Sequence, residues 1–405
     1  MTTDSVSPQL IGQRLADARR LRSIKQDDAA NAIGVSRPTF IAIEKGERKA
    51  TAPEIVKLAS LYGQPVNHFV RSREPVTDFR VHFRVAMEKV THVDAEQLKA
   101  AIQEFKDFVE NYVDLEQRMK SPLLMNYPQP VELNRRVNVT ELAEDVANRE
   151  RQRLGLGDQP LPHIRSLLES DVGVRIFSAR LPRMIAGMHI FLKGVGGCIL
   201  INSVHPVDRQ RITIAHEYSH LIIDRHTAGI DSLTGVGRKP ANERFADSFA
   251  MGFLMPASSV RFRFNEIVNS TGNFQVGDLV KLKHFYSVSM EAIALRLEDL
   301  GLLRLGTWKS LKEEKLPSHE AEKRMGLVSE PRAEPAYPER YKHLAVHAYE
   351  RGELTEKEFA NYLRCDIWEA RQIIQESILS VEVDTEGQTH RMQTNFETSL
   401  LADYA

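Results

Sequence analysis

The sequence has few of the features that mark secreted or membrane-spanning chains. It contains only two cysteines, Cys198 and Cys365, among 405 residues, which argues against a disulfide framework and favours a reducing compartment. No uninterrupted apolar run approaches about 18 residues, and the N-terminus Met-Thr-Thr-Asp-Ser lacks a secretory pattern. We therefore expect a cytoplasmic protein that makes no contact with membranes.

An excess of charge of one sign is also absent. The chain has 54 Lys and Arg against 55 Asp and Glu, a formal net charge of −1. Any binding to nucleic acid must therefore come from a local basic patch. Hydrophobic residues make up 42% of the chain, which is enough to form two or three domains at this length.

The run His216-Glu217-Tyr218-Ser219-His220 carries two imidazoles one helical turn apart. Residues four apart share one face of a helix, so both imidazoles can bind the same metal ion. Glu217 lies beside them, where it can take a proton from a water molecule at the metal. The alternative interpretation is an amphipathic helix with two solvated or core-capping histidines.

A second segment with two carboxylates, Asn242–Asp247, follows the histidine motif after a connecting segment. A catalytic zinc ion takes three protein ligands and leaves one position open, and Glu243 is the candidate third ligand. Asp247, one turn later, is placed to accept the spare ring N–H of a ligand histidine and so to fix its tautomer. The alternative is an ordinary exposed Glu/Asp pair.

The region around these motifs resembles the ImmA/IrrE-type metallopeptidases. The run from Arg209 to Leu221 is similar to the metal helix of that family, and the block from Glu243 to Pro256 is similar to its second helix. The likeness continues upstream through Leu167-Leu168-Glu169, Gly173-Val174 and Ile199–Asn202, and it covers about residues 140–305.

This resemblance implies a zincin-like fold with a thermolysin-like ligand plan. His216, His220 and Glu243 are then the Zn²⁺ ligands and Glu217 is the general base. Members of the family act inside cells on transcriptional repressors, so the resemblance implies narrow, regulated proteolysis of a protein substrate. The donor for the oxyanion stays open among Tyr218, His226 and His189.

A β-hairpin is indicated by the segment 186–192 and the glycine-rich turn at 194–197. Two interpretations are open. The first strand either binds substrate by strand addition or belongs to a plain core hairpin.

Residues 9–70 have a separate pattern of short amphipathic helices. Gly34 suits the turn between two crossing helices, and Ser36 is a good N-cap for the next one. The pattern resembles the XRE/Cro-type repressor domains, and this resemblance implies a domain of five helices. Their core residues are expected to include Ala30, Val35, Phe40 and Ile43.

The second helix of such a pair enters the major groove of DNA with its N-terminal residues. Arg37 suits bidentate contacts to guanine, whereas Lys45 suits a phosphate. Residues 9–50 hold nine Lys and Arg against five Asp and Glu, which is the right sign for DNA. A helical dimerisation module is the alternative. The predicted DNA-contacting residues are Gln26, Ser36, Arg37, Thr39, Ala42, Lys45 and Arg48.

Three further segments are less specific. The helical pattern over 93–120 fits either a dimerising coiled coil or a linker helix packed on its own peptidase domain. Residues 278–303 also have a helix-turn-helix pattern. DNA phosphates would repel the acidic residues of its second helix, so we expect this segment to be structural and not to read DNA. Thr355–Glu358 is a capping box that opens a helix of a small C-terminal module.

The sequence therefore predicts a mainly α protein with a small β-sheet (α+β). Its expected segments are a helix-turn-helix domain (1–75), a helical linker (76–130), a zinc metallopeptidase domain (131–307), a charged linker (308–340) and a helical C-terminal module (341–405). We expect a DNA-binding regulator, homodimeric on a palindromic operator, that cleaves a repressor or itself. The alternatives are a regulator whose zinc domain is a non-catalytic sensor, and an inert domain that serves oligomerisation.

Overall fold

A computed structural model of the chain describes residues 7–22, 24–63, 66–70, 79, 83, 87, 95–133, 138–232, 239–313, 326–327, 335–378, 380–383 and 389–392. The chain divides into two compact units, Met1–Asp78 and Phe79–Ala405. Among the described helices, none has the length and apolar character needed to cross a bilayer. The α+β class expected from the sequence is confirmed.

The first unit is a bundle of five short helices, as predicted. Ala30, Phe40 and Ile43 are buried in its core, and Val35 packs against them partly exposed. Gly34 ends the second helix at φ 75°, and the Ser36 hydroxyl accepts the N–H of Thr39 to cap the third. The helices are α1 (Pro8–Leu21), α2 (Gln26–Ile33), α3 (Arg37–Glu44), α4 (Ala52–Tyr62) and α5 (Val66–Val70).

A four-stranded mixed sheet lies in the second unit, with the strand order β1-β3-β2-β4. β3 runs parallel to β1 and antiparallel to β2, and β2 runs antiparallel to β4. The predicted hairpin is confirmed as β2 and β3. The strands are β1 (Arg175–Ala179), β2 (Ile185–Leu192), β3 (Gly196–Asn202) and β4 (Gly229–Ser232).

The position of β2 corrects one prediction. Its neighbours β3 and β4 occupy both of its edges over 187–189, so the first strand of the hairpin has no free edge there for a substrate strand. Of the strands described in this sheet, β4 and β1 form the edges. The interpretation of β2 as a core strand is the correct one.

Helices cover the sheet and form most of the core. α9 packs on β2, β3 and α10, and α10 packs on α7. A π-helical turn, Leu168–Val172, leads into β1. The helices of this part are α6 (Ala95–Arg118), α7 (Val139–Arg153), α8 (Ile164–Leu167), α9 (Val207–Ile223), α10 (Ala241–Leu254), α11 (Ala257–Thr271), α12 (Val276–Tyr286), α13 (Met290–Asp299) and α14 (Thr307–Glu313).

The long helix α6 is packed within its own chain. Phe105, Phe108 and Tyr112 contact Phe177 of β1, with the rings of Phe108 and Phe177 stacked 5.1 Å apart. The apolar residues that suggested a coiled coil are all buried within the chain: Leu98, Ile102, Phe105, Val109, Tyr112 and Met119. This burial supports the alternative interpretation, a linker helix packed on its own chain.

The C-terminal module packs on α6 rather than standing apart. The ring of Tyr341 meets that of Tyr112 at 5.4 Å, and Arg340 donates to Glu116 at 3.0 Å. The module contains α15 (Glu339–Glu350), α16 (Glu356–Leu363), α17 (Ile367–Ile378) and a hairpin of β5 (Ser380–Val383) and β6 (Thr389–Met392).

Two details of this end of the chain differ from expectation. The module is not all helical, since it ends in the β5–β6 hairpin. The predicted charged linker begins with helix α14, and residues 314–325 and 328–334 lie outside the described part of the chain. The capping box is confirmed, because Thr355 and Glu358 each accept the other's backbone N–H.

The helix-turn-helix pattern at 278–303 forms α12 and α13. Ser287 adopts φ 51° between them, and Ser289 caps α13. The carboxylate of Glu298 accepts the backbone N–H groups of Gly306 and Trp308. These buried contacts fit the structural role predicted for the segment.

The packing of α6 on β1 predicts that Phe177→Ala lowers the free energy of unfolding by about 3–5 kcal/mol, because it removes the ring that three aromatic residues of α6 contact. Urea denaturation of the full chain measures this loss. Leu305→Ala is the control, since Leu305 is 85% exposed and its truncation changes stability by no more than about 0.5 kcal/mol. A similarly small loss for Phe177→Ala would contradict the packing.

Candidate metal site and nucleic-acid interface

The helix α9 that carries both motif histidines is almost wholly buried between the sheet and α10. His216, Glu217 and His220 are all shielded from solvent. Glu243 and Asp247 lie in the facing part of α10 and remain about one-third to two-fifths exposed. The side chains that α9 contributes are thus shielded from solvent, whereas the carboxylates that α10 contributes are partly accessible to it.

Three donor groups converge between the two helices. Nε2 of His216 lies 3.3 Å from Oε2 of Glu243 and 3.3 Å from Nε2 of His220. Nε2 of His220 lies 3.5 Å from Oε1 of Glu243. The sequence-predicted ligand residues are therefore brought together, and their donor atoms all lie within 4.8 Å of one another.

These separations fit a single tetrahedral ion. Ligand atoms placed about 2.0–2.2 Å from one zinc ion lie about 3.3–3.6 Å from each other, and the closest approaches between these three side chains, with one oxygen of Glu243 near each imidazole, are 3.3–3.5 Å. Two neutral imidazoles and a carboxylate are also the donor types that zinc takes in hydrolytic sites. The residues present thus fit a zinc ion in both spacing and chemistry.

Asp247 lies behind this cluster, as the sequence suggested. Its Oδ1 is 3.3 Å from Nδ1 of His216, on the ring atom that faces away from Glu243, and its Oδ2 accepts from Lys239 at 2.7 Å. Burial raises the pKa of Asp247, but His216 and Lys239 outweigh it and hold that pKa below its usual value. The carboxylate therefore stays ionised beside the ring.

The two histidines differ in how easily they take a proton. Burial lowers the pKa of His216, but hydrogen bonds to Asp247 and Glu243 outweigh it, so this pKa lies well above the ordinary value. The pKa of His220 lies well below it, because of burial and of the neighbouring rings of His189 and His216. The pocket thus holds one readily protonated imidazole beside one that resists protonation.

Asp231, on β4, is a further carboxylate that sequence reasoning missed. Burial raises its pKa to about 6, with His216 opposing that shift and the charges of Glu217, Glu243 and Asp247 adding to it. Asp231 thus adds to the negative charge that Glu217, Glu243 and Asp247 place around His216, and this charge favours a bound cation.

Glu217 is completely buried, with 0% of its surface exposed. Its Oε2 lies 2.5 Å from Nδ1 of His189, whereas its Oε1 has no hydrogen-bond partner in the described structure. A buried carboxylate oxygen without a partner is costly. Only an added donor, such as a water molecule, would satisfy this oxygen.

The other two candidates for the oxyanion donor face elsewhere. The hydroxyl of Tyr218 donates to the carboxylate of Glu150, deep between α9 and α7. His226 is exposed, and its ring meets the edge of Phe191 at 6.1 Å. Of the three residues that the sequence left open, only His189 lies against the cluster.

The exposed surface of α3 carries the residues predicted to read DNA. Arg37 is 57% exposed and makes a loose 3.6 Å pair with the similarly exposed Asp27. Lys45 is 63% exposed and lies 4.0 Å from Glu47. Such exposed pairs contribute little stability, so both cations can exchange these partners for DNA groups at small cost.

The remaining predicted contacts have stronger partners within the domain. Arg48 donates twice to Glu54, at 2.9 and 3.1 Å, and Gln26 donates to Glu44 at 2.7 Å. The hydroxyls of Ser36 and Thr39 lie 2.8 Å apart in the cap of α3. Ala42, on the same helix, is partly exposed.

Two protein families match the chain. Residues 10–69 match a helix-turn-helix domain, which coincides with the five-helix bundle. Residues 169–298 match the IrrE N-terminal-like domain of peptidase type M78, which includes the sheet, α9 and α10. The two matches lie on either side of the boundary between the compact units.

Among characterised proteins, the cryptic phage CTXphi transcriptional repressor RstR of Vibrio cholerae is 31% identical over 78 residues, which are 19% of this chain and 70% of the repressor. Two solved structures align with low TM-scores. PlcR of Bacillus thuringiensis, solved with the peptide PapR7 and DNA, has 11% identity and a TM-score of 0.16 over 91% of this chain and 95% of its own. ComR of Streptococcus suis has 10% identity and the same TM-score over 92% and 94%.

TM-scores this low establish no shared architecture, so the family rests on the sequence matches and on the two units that they coincide with. The chain belongs to the helix-turn-helix regulators that carry an IrrE-like, M78-type peptidase domain behind the DNA-binding head.

Proposed function

We propose that the protein is a transcriptional regulator whose second unit is a zinc-dependent endopeptidase of narrow specificity. The observation that carries this proposal is the unpartnered Oε1 of Glu217 on the helix that holds two of three donor side chains whose ligand atoms lie within 4.8 Å of one another. The expected substrate is a protein, either a repressor or the chain itself.

His216, His220 and Glu243 would hold the zinc ion, and Asp247 would accept the Nδ1 proton of His216 and so leave its Nε2 free as a donor. A bound zinc ion supplies Lewis-acid polarisation of a carbonyl group and lowers the pKa of water. The remaining chemistry belongs to the side chains of this chain.

Glu217 would act as the general base through Oε1. That oxygen has no competing donor, whereas Oε2 is held by His189. It would accept a proton from the attacking water and then deliver it to the nitrogen of the departing amine. The complete burial of Glu217 keeps bulk water from competing for that proton.

The helix-turn-helix head would bring this activity to an operator in double-stranded DNA. Arg37 and Lys45, at opposite ends of the exposed surface of α3, would contact a base edge and a phosphate. A homodimer on a palindromic operator would have to form through surfaces other than the apolar face of α6, which is buried within the chain.

Removal of a ligand is predicted to abolish zinc binding. His216→Ala and Glu243→Gln each leave fewer than three protein ligands, so we expect the zinc content of the purified protein to fall close to zero. Asp247→Asn keeps the ligands and is expected to weaken zinc binding by about 10–100-fold. Elemental analysis and competition with a chelator measure both effects.

His226→Ala is the matched control, because this exposed imidazole lies outside the donor cluster. Full zinc occupancy in Glu243→Gln would exclude Glu243 as a ligand and would contradict the proposed centre.

Glu217→Gln is predicted to retain zinc and to lose cleavage by about 10²–10⁴-fold, since the amide cannot act as a general base. Intact-mass spectrometry of the protein alone, and of mixtures with the proteins encoded by neighbouring genes, measures the cleavage. Tyr218→Phe is the control, because its hydroxyl is directed at Glu150 and not at the donor cluster.

The same variant separates the peptidase from a sensor. If Glu217→Gln with full zinc occupancy still regulates its operator as the wild type does, catalysis is not the regulatory step. The zinc site would then act through occupancy alone.

Arg37→Ala is predicted to relax specificity at one base pair and to cost about 1–3 kcal/mol of binding free energy. Lys45→Ala should instead weaken binding to all sequences alike and reduce the salt dependence by about one ion. Selection from a randomised duplex library at several salt concentrations measures both. Lys57→Ala on α4 removes the same charge from outside α2 and α3, and equal effects of all three variants would refute the assignment.

A further inference from the structure

We propose that His189 is a positioning residue that holds Glu217 in the orientation required of a general base. This inference rests on the peptidase function proposed above. It assigns a role to a residue of β2, a strand that lies outside both motif helices.

The first observation is the contact itself. Nδ1 of His189 lies 2.5 Å from Oε2 of Glu217, and both side chains are buried. An ionised carboxylate only accepts hydrogen bonds, so the proton of this bond belongs to Nδ1 of the ring. The bond occupies one oxygen of Glu217 and leaves Oε1 as the free acceptor, so it selects which oxygen meets water.

The second observation is that the ring of His189 cannot turn freely. It stacks on the ring of His220 with centroids 4.7 Å apart and an interplanar angle of 11°. Rotation about the side-chain bonds would break both the stack and the hydrogen bond. His189 therefore contacts the proposed base, Glu217, through a hydrogen bond and a proposed zinc ligand, His220, through ring stacking.

The third observation is that two glycines make room for this pair. His189 lies opposite Gly229 in the β2–β4 ladder, and a Cβ at position 229 would collide with Cε1 of the imidazole. A Cβ at Gly187 would lie 2.8 Å from Oε1 of Glu217. Neither glycine has a positive φ, so space and not backbone conformation requires them.

A core histidine with no functional role would be satisfied by any buried acceptor. Here the acceptor is the one carboxylate that lies between the two motif histidines, and two adjacent strands lack side chains where the pair needs space. Both features follow if the strand is shaped to orient Glu217. They also explain why Glu217 can be buried without moving away from the donor cluster.

Two substitutions separate the hydrogen bond from the stack. His189→Phe keeps an aromatic ring on His220 but removes the donor. His189→Asn keeps an N–H bonded to Cγ, in the place of Nδ1, but removes the ring. If positioning depends on the donor, the asparagine variant retains more activity than the phenylalanine variant.

The experiment uses the zinc-loaded full chain and a pool of synthetic peptides of randomised sequence. The peptide that the wild type cleaves fastest serves for steady-state kinetics. We expect His189→Phe to lower kcat by about 10–100-fold with KM and zinc content unchanged, and His189→Asn to retain most of kcat. Gly229→Ala should behave like His189→Phe, because its methyl group displaces the ring. His226→Phe, the same change at an exposed imidazole, should have no effect.

A readout independent of activity is the Nδ1–H resonance of His189 in protein labelled with ¹⁵N-histidine. It is identified by its loss in His189→Phe, and we expect it far downfield in the wild type and shifted upfield in Glu217→Ala. An unchanged resonance in Glu217→Ala would overturn the proposal, as would a wild-type kcat in His189→Phe.

Failure of the underlying function gives a different result. If the zinc-loaded wild type cleaves no peptide of the pool, both the peptidase and the positioning role are rejected. If the wild type cleaves and His189→Phe cleaves equally well, only the role of His189 is rejected.

Discussion

The close packing of α10 against α9 is the contact on which the proposed centre depends. Ala246 and Ala250 are fully buried at this interface, and their small side chains allow the two helix axes to approach. On the adjoining face of α10, Phe245, Phe249 and Phe253 form a stacked row with centroids 5.4–6.1 Å apart. Burial of these rings stabilises the approach. Without it, the histidines and the downstream glutamate would belong to separate surfaces.

The C-terminal end of α10 is held by arginines that no local pattern indicates. Arg151 is buried and donates to the carbonyl oxygen of Phe253, and Arg296 donates to that of Met255 at 3.0 Å. Cations near the C-terminus of a helix complement its dipole and satisfy its unpaired carbonyl groups. They fix the position of the helix along its own axis, and with it the height of Glu243 relative to the two imidazoles.

Local periodicity predicts the two helices of the centre and the first three helices of the head, because a motif within one helix fixes its own geometry. The number of five helices came from the resemblance to the repressor domains. Periodicity was not sufficient for His189 and Asp231, whose positions beside Glu217 come from strand pairing between residues far apart in sequence. The glycines at 187 and 229 were the available signal. For α6, the heptad-like spacing indicates a buried face. It does not show whether a partner chain or β1 of the same chain covers that face.

The charged groups of the two units differ in their exposure to solvent, and this difference bears on what each unit could bind. On α3 the cations are exposed and loosely paired, so their interactions are weakened by salt and their partners are easily exchanged. In the second unit Glu217 and the neighbouring imidazoles are buried, and the partly exposed Glu243 and Asp247 each lie 3.3 Å from His216, so salt screens these partly buried pairs only weakly. Binding through the head should therefore respond steeply to ionic strength, whereas the donor cluster should not. Under the proposed function, a chain with almost no net charge would hold a polyanion at one unit and a cation at the other, since each site depends on its local field and not on the total.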